Sequence, residues 1–355
     1  MKPGLKFKNP ASAFMLFLIL FWLAIQVIIV GAVMVAQELG SPVNWLENLW
    51  FMIMMQLVGF LLPMFLWLLI TGDSFRRNMP NRPLGATNIV LLIILSFLIL
   101  PFVMLISAIS SQFVTNDVAV MLEGLAGQPW WLMMLAIAVT PGIVEELVFR
   151  GYIQSNTRGS ITKVAVLNGF LFALLHLNPH QFVYTFVLGV VFAFLVYHTK
   201  SIWAGIIPHF LVNGVNVTIS HIAMRGLENG EYPEPTVAQI LYDSFAPTNP
   251  QLAQRLYEWA YGISADAFAI GAIGFLAIFT TAGFAGVYIA FVSHNRKWRM
   301  QFEAPPEETP AIEETPIEET PIEEPPQKRF KVDWCLAAVV VIYLLVVIPT
   351  LLFLS

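Results

Sequence analysis

Six side chains in one stretch of the chain are of types that hydrolytic chemistry uses. Glu145, Glu146 and Arg150 stand in the string Thr-Pro-Gly-Ile-Val-Glu-Glu-Leu-Val-Phe-Arg-Gly, His176 follows Phe172 by four residues, and His209 precedes Asn213 by four. Glu146 and Arg150 are i,i+4, so a helix places them on one face in the order that favours an ion pair. Glu145 is turned about 100° away from Glu146 on the same helix, so the two carboxylates cannot make the same contact. Asn216 extends the His209–Asn213 stripe by another turn. A carboxylate and two imidazoles in a low-dielectric cavity suit water activation. Burial makes a carboxylate a stronger base, a histidine can share its proton, and His or Asn donors can hold an oxyanion away from competing water. The same three groups, Glu145, His176 and His209, could instead ligate a divalent metal such as Zn2+ with a bound water. Both routes end in hydrolysis of an amide.

The elements that must position these groups are membrane helices. The 355 residues are 57% hydrophobic and 12% charged, whereas a soluble domain is about 25% charged. The net charge of −5 gives no nucleic-acid footprint, and the lone Cys335 precludes an intrachain disulfide. Apolar runs of about 20 residues predict an all-α, polytopic membrane helical bundle of about nine transmembrane helices. The spans are 12–36, 48–71, 87–110, 129–151, 163–178, 181–198, 202–222, 266–292 and 334–354. The first, following Lys2, Lys6 and Lys8, reads as an uncleaved signal-anchor. The fifth and sixth are short and meet at Asn178-Pro179-His180-Gln181. With the N-terminus inside, 16 of the 18 basic residues fall on inner segments, and only Arg225 and Arg255 fall outside. The positive-inside rule then gives a multi-pass protein of the cell membrane with a cytoplasmic N-terminus.

The chain divides into a three-span region (1–128), a four-span core (129–222), an outer loop (223–264), an eighth span (265–299), an acidic Pro/Glu-rich linker (300–332) and a C-terminal anchor span (333–355). Amphipathic helices are expected near 236–245 and 250–261, and the linker should be disordered. Ionisable groups within lipid are expensive and persist when paired or functional. Of 23 acidic residues only Glu145 and Glu146 lie within a span interior. Counting 1.5 Å per residue places Glu145, His176, His209 and Asn213 at similar depths, ~12–20 Å from the inner helix ends. Pro141 and Pro208 lie beside them and can open the local backbone ladder.

The motifs of other intramembrane or ATP-driven machines are absent: there is no His-Glu-x-x-His, no Gly-x-Ser-x-Gly, no Gly-x-Gly-Asp and no Walker A. What is present resembles the three motifs of the CAAX-protease and bacteriocin-processing (CPBP, or Abi) family of intramembrane endopeptidases. These are Glu145-Glu146-x-x-x-Arg150, Phe172-x-x-x-His176 and His209-x-x-x-Asn213, each in its own apolar span. The resemblance covers about 129–222. It implies that Glu145 and His176 activate water, that His209 and Asn213 stabilise the oxyanion, and that Glu146 and Arg150 are a structural pair. It leaves open whether Zn2+, on Glu145, His176 and His209, takes part. Eukaryotic members remove the last three residues of a prenylated tail, and bacterial members act on other peptides. The partners it implies are the membrane and a peptide or protein substrate, lipidated if processing is of the CAAX type, cut near the cytoplasmic leaflet. The competing reading is a non-catalytic scaffold, immunity or transport protein whose polar cluster glues helices together. Outside the cluster, His180 and His198 read as interfacial, His221 and His294 as surface residues, and Asn168 and Asn216 as packing contacts.

Overall fold

The computed structural model describes residues 5–43, 48–125, 127–228, 237–260, 265–303 and 334–353. Most of the acidic linker lies outside these residues. Apart from one bridge between Asn81 and Ser201, the regular elements among the described residues are helices. They are α1 (Pro10–Glu38), α2 (Leu49–Thr71), α3 (Ala86–Ser110), α4 (Asp117–Gly124), α5 (Trp130–Asn156), α6 (Ile161–Leu175), α7 (Pro179–Thr199), α8 (Trp203–Glu228), α9 (Val237–Phe245), α10 (Pro250–Ala260), α11 (Ala265–Glu303) and α12 (Trp334–Phe353), with a single turn at Phe75–Asn78 between α2 and α3.

Seven of these, α1, α2, α3, α5, α7, α8 and α11, are long and apolar enough to cross a membrane. The expected polytopic all-α bundle is therefore present, with seven helices of that kind among the described residues. The apolar helix Ile161–Leu175 is shorter. The 15 residues of α6 rise ~22 Å against a hydrocarbon core of ~30 Å. Local chemistry stops α6 early. Pro179 keeps the residue before it out of the helical region, and Leu177 turns through a left-handed φ of 48°. Asn178 then caps α7, its Oδ1 accepting from the Gln181 N–H at 3.1 Å, with Pro179 at the first helical position.

α5, which carries the two glutamates, is not a uniform helix. Two π-helical stretches, Leu135–Val139 and Leu147–Ile153, flank the α-helical Thr140–Glu146. Pro141 has no N–H, so the carbonyls one turn before it lose a backbone donor. Side chains take over. Gln56 Nε2 of α2 donates to Ala136 O at 2.9 Å, and Asn213 Nδ2 of α8 donates to Ile137 O at 3.1 Å. Thr140 Oγ1 donates to Leu135 O at 2.8 Å. In lipid, a carbonyl that loses its backbone donor must find another within the protein. The bonds therefore pin the irregular part of α5 to α2 and α8.

The main core joins α1, α2, α5, α6 and α12 through Phe14, Trp67, Phe149, Phe172 and Val339. The last helix is thus packed into this core; its Tyr343 ring lies 5.5 Å from that of Phe182 on α7. Trp67 Nε1 donates to the Tyr152 hydroxyl at 2.7 Å, and that hydroxyl donates to Asp73 Oδ2 at 3.0 Å, tying α2 to α5. α9 and α10 form a small pair in the outer loop, packed through Ala238, Leu241 and Tyr257. Outward-facing Phe275, Ile278 and Phe279 on α11 are largely exposed and make an apolar face suited to lipid.

α6 and α7 cross closely because glycines meet. A methyl group at Gly189 would lie 2.6 Å from Gly169 Cα and 3.2 Å from the Phe172 ring. Small residues at such crossings let backbones approach in a membrane. Gly189→Ala is expected to destabilise the protein by about 1–3 kcal/mol through overpacking, read as a lowered Tm of the detergent-solubilised chain. Gly271→Ala, on α11 with nothing within 4 Å, serves as the control and should not lower Tm, and should raise it slightly.

Candidate active site

The site is assembled by α5, α6, α7 and α8 around one buried carboxylate. Glu146 Oε1 accepts from Arg150 NH1 at 2.8 Å and lies 2.9 Å from His209 Nδ1. Glu146 and Arg150 side chains are 0% exposed. Arg150 NH2 donates to Gly189 O on α7 at 3.0 Å. Its guanidinium lies over the Phe172 ring at 4.7 Å and near the Phe192 ring at 5.4 Å. The charge thus has an anion, a carbonyl and aromatic faces in place of water. Gly205 on α8 backs the carboxylate: a methyl group there would collide with Glu146 Oε2 and come within 3.0 Å of its Cδ.

His209 bridges the two glutamates. Its Nδ1 faces Glu146, already paired with Arg150 as an anion, so Nδ1 is the nitrogen that carries hydrogen and donates. Its Nε2 points to Glu145 Oε2 at 3.8 Å. Side-chain exposure is 7% for His209 and 13% for Glu145. The rings of Phe172 and Phe192 hold the imidazole from two sides, at 5.8 and 5.6 Å. Glu145 and Glu146 do point different ways, as their 100° offset requires, yet one histidine touches both. Spacing alone did not reveal that bridge.

His176 caps the C-terminus of α6. Its Nδ1 lies 2.8 Å from Phe172 O. A carbonyl only accepts, so Nδ1 carries the hydrogen and Nε2 is the nitrogen with a lone pair. The Phe172 ring packs edge-on against it at 4.8 Å. Asn213 spends one amide hydrogen on Ile137 O. Glu145, His176, His209 and Asn213 all line one cavity of about 550 Å³, together with Asn216, His180 and Ser107. That volume is in the range of ligand-binding clefts. Glu145 Oε2 is buried and has no hydrogen-bond partner.

The structure gives the neighbouring residues definite partners. His180 is 1% exposed, with Nε2 at 3.0 Å from Ser111 Oγ and 3.2 Å from Ser107 O on α3. The turn before α7 is shorter than the residue string suggested, so His180 already faces the bundle. His198 is buried against the Tyr288 and Phe291 rings of α11. Asn168 is a packing contact, donating to Phe149 O at 2.7 Å, whereas Asn216 lines the cavity. Gln56, Gly189 and Gly205 were missed. Gln56 had a usable signal, a polar amide inside an apolar run with an orphaned carbonyl to meet.

The zinc option asks Glu145, His176 and His209 to converge on one point. Among the described residues no three His, Cys, Asp or Glu side chains gather as a metal site.

Residues 127–215, α5 to the middle of α8, match the family model described as type II CAAX prenyl endopeptidase Rce1-like. The match spans all three motifs and supports the CAAX-protease family that they resemble. No curated protein and no solved structure matches the chain.

Removing one partner from a buried ion pair costs about 3–5 kcal/mol, because the other charge stays behind. Arg150→Ala should therefore lower the yield and Tm of the folded protein by an amount of that order. A variant with wild-type Tm would show that the pair does not hold the site.

Proposed function

We propose that this multi-pass membrane protein is an intramembrane endopeptidase that hydrolyses a peptide bond in a membrane-associated peptide or protein. The family match supports a protease of the CAAX-processing type in general terms. The carrying observation is Glu145 Oε2: a buried, unpartnered carboxylate oxygen on a cavity shared with His176, His209 and Asn213.

The residues divide the work as follows. A water held between Glu145 and His176 Nε2 loses a proton to one of them as its oxygen attacks the scissile carbonyl carbon. The carbonyl electrons move onto oxygen. The donors for that oxyanion are the second amide hydrogen of Asn213 and, when the ring carries both protons, His209 Nε2–H. In that form His209 sits between Glu145 and Glu146 and balances the charge that Arg150 leaves unbalanced. Collapse of the tetrahedral species breaks the C–N bond as the stored proton passes to the leaving amine. Glu146 and Arg150 touch no reacting atom; they hold His209 and α7 in register. A prenylated, CAAX-ended tail is the narrower substrate reading, resting on the family match alone.

General acid–base groups contribute about 10²–10⁴-fold to rate. Glu145→Gln is isosteric and breaks no hydrogen bond, so its Tm should match wild type while cleavage falls at least ~10²-fold. The assay would follow product peptide from a panel of membrane-anchored reporters, including a prenylated CAAX-ended one. Undiminished cleavage of a reporter that the wild type cuts would overturn the assignment. It would favour the reading in which the cluster only glues helices.

A further inference from the structure

We propose that Asn216 of α8 and Tyr184 of α7 form a subsite that holds the main chain of the substrate, one or two residues from the scissile bond. The inference deepens the proteolytic reading and rests on it for the identity of the ligand as a peptide. α7 and α8 are joined by the short turn at 200–202 and pack against each other. Counting 1.5 Å per residue away from that turn puts Phe192 and His209 level, at ~12 and ~10 Å. The structure bears this out, since the two rings lie 5.6 Å apart. The same count puts Leu188 level with Asn213, at ~18 and ~16 Å, and Tyr184 level with Asn216, at ~24 and ~21 Å. Tyr184, Leu188 and Phe192 are spaced i, i+4, i+8, and His209, Asn213 and Asn216 are spaced i, i+4, i+7, so each set makes one stripe. Both stripes line the cavity that holds Glu145. Tyr184 and Asn216 thus stand at the next level of that cavity beyond the one with Asn213.

Three carboxamides close to the site are spent on the protein: Gln56 on Ala136 O, Asn168 on Phe149 O and Asn213 on Ile137 O. The Asn216 carboxamide and the Tyr184 hydroxyl are not. Among the described residues neither has a hydrogen-bond partner, although both are half-buried and lie within spans. A polar group taken from water without a partner is costly, so two at one level of a cavity call for a ligand that pairs with them. Each of the two groups both donates and accepts. A peptide unit offers one N–H and one C=O, and needs both paired when it leaves water. A carboxamide is complementary to that pair, and a hydroxyl to either member. An isoprenoid chain offers neither, so this level of the cavity takes peptide main chain. Asn216 lies three residues beyond Asn213, ~4.5 Å along the helix, against ~3.3 Å per residue of an extended chain. With Asn213 at the oxyanion, Asn216 meets the next peptide unit or the one after it.

The test is peptide binding to the full-length Glu145→Gln protein in detergent, read by fluorescence anisotropy. The probe is the labelled member of the reporter panel that this protein binds most tightly. Adding Asn216→Leu or Tyr184→Phe should weaken binding about threefold to tenfold, the range for one lost hydrogen bond. Neither change should lower Tm, since neither breaks a bond within the protein. Two further probes carry an ester in place of the amide, one and two residues from the scissile bond. At least one of them should bind Glu145→Gln more weakly than the amide probe does, and that difference should vanish when Asn216→Leu is added. Unchanged affinity in the Asn216→Leu variant would overturn the subsite. So would a lowered Tm, which marks a packing contact, an ester penalty that survives Asn216→Leu, or a panel with no member that binds. Binding needs no turnover, so failure here leaves the hydrolytic assignment standing. Undiminished cleavage by Glu145→Gln would remove that assignment and leave the affinities to decide the subsite.

Discussion

A carboxylate that lipid cannot solvate must find its solvent in the protein. Glu146 does so through one oxygen shared by the Arg150 guanidinium and His209 Nδ1. That shared oxygen links three helices. Arg150 carries the connection on to Gly189 O of α7, and His209 brings in α8. The aromatic rings around them, Phe172 and Phe192, belong to α6 and α7. The Gly169–Gly189 crossing and the bare face of Gly205 are the steric conditions under which this network closes. A glycine inside a helix is ordinarily a weakness. Here all three are required by what lies against them.

The irregular backbone of α5 serves the same end. Pro141 leaves carbonyls without donors, and Gln56 and Asn213 fill the gap from neighbouring helices. The defect thereby becomes a pair of fixed points beside Glu145. π-helical segments are often found at functional sites. In this chain they flank the α-helical turn in which Glu145 lines the cavity while Glu146, the next residue, is fully buried. Two adjacent carboxylates so acquire different surroundings, one ion-paired through its Oε1 and one lining the cavity. Different surroundings for paired titratable groups are what separate structural from chemical roles.

Much of this was legible in the residues. Polar side chains stand out in apolar runs, so Glu145, Glu146, Arg150, His176, His209 and Asn213 could be found by type and spacing. Their shared depth followed from the rise of a helix. The bridge through His209 was not legible, because it depends on how α8 is rotated against α5, which no spacing within either helix records. The burial of His180 was not legible because α7 begins at Pro179, so His180 lies in its first turn and not in the connecting loop. Gln56 was passed over because it is neutral, although a missing N–H at Pro141 creates a demand for just such an amide. The shortness of α6 came from Leu177, whose left-handed backbone leaves no signature in a leucine. The packing of α12 into the core was hidden by its position after the acidic linker.

If the shared oxygen of Glu146 sets the site, a perturbation that leaves every polar group in place should still disable it. Gly205→Ala is that perturbation. In an open helix the change would stabilise by roughly 0.5–1 kcal/mol. Against Glu146 the added methyl must displace the carboxylate. The measurement is cleavage of the reporter peptide per folded molecule, with Tm taken on the same preparation. The account predicts a lowered Tm and cleavage reduced at least tenfold in whatever fraction folds. A Gly205→Ala protein with wild-type Tm and wild-type cleavage would contradict it.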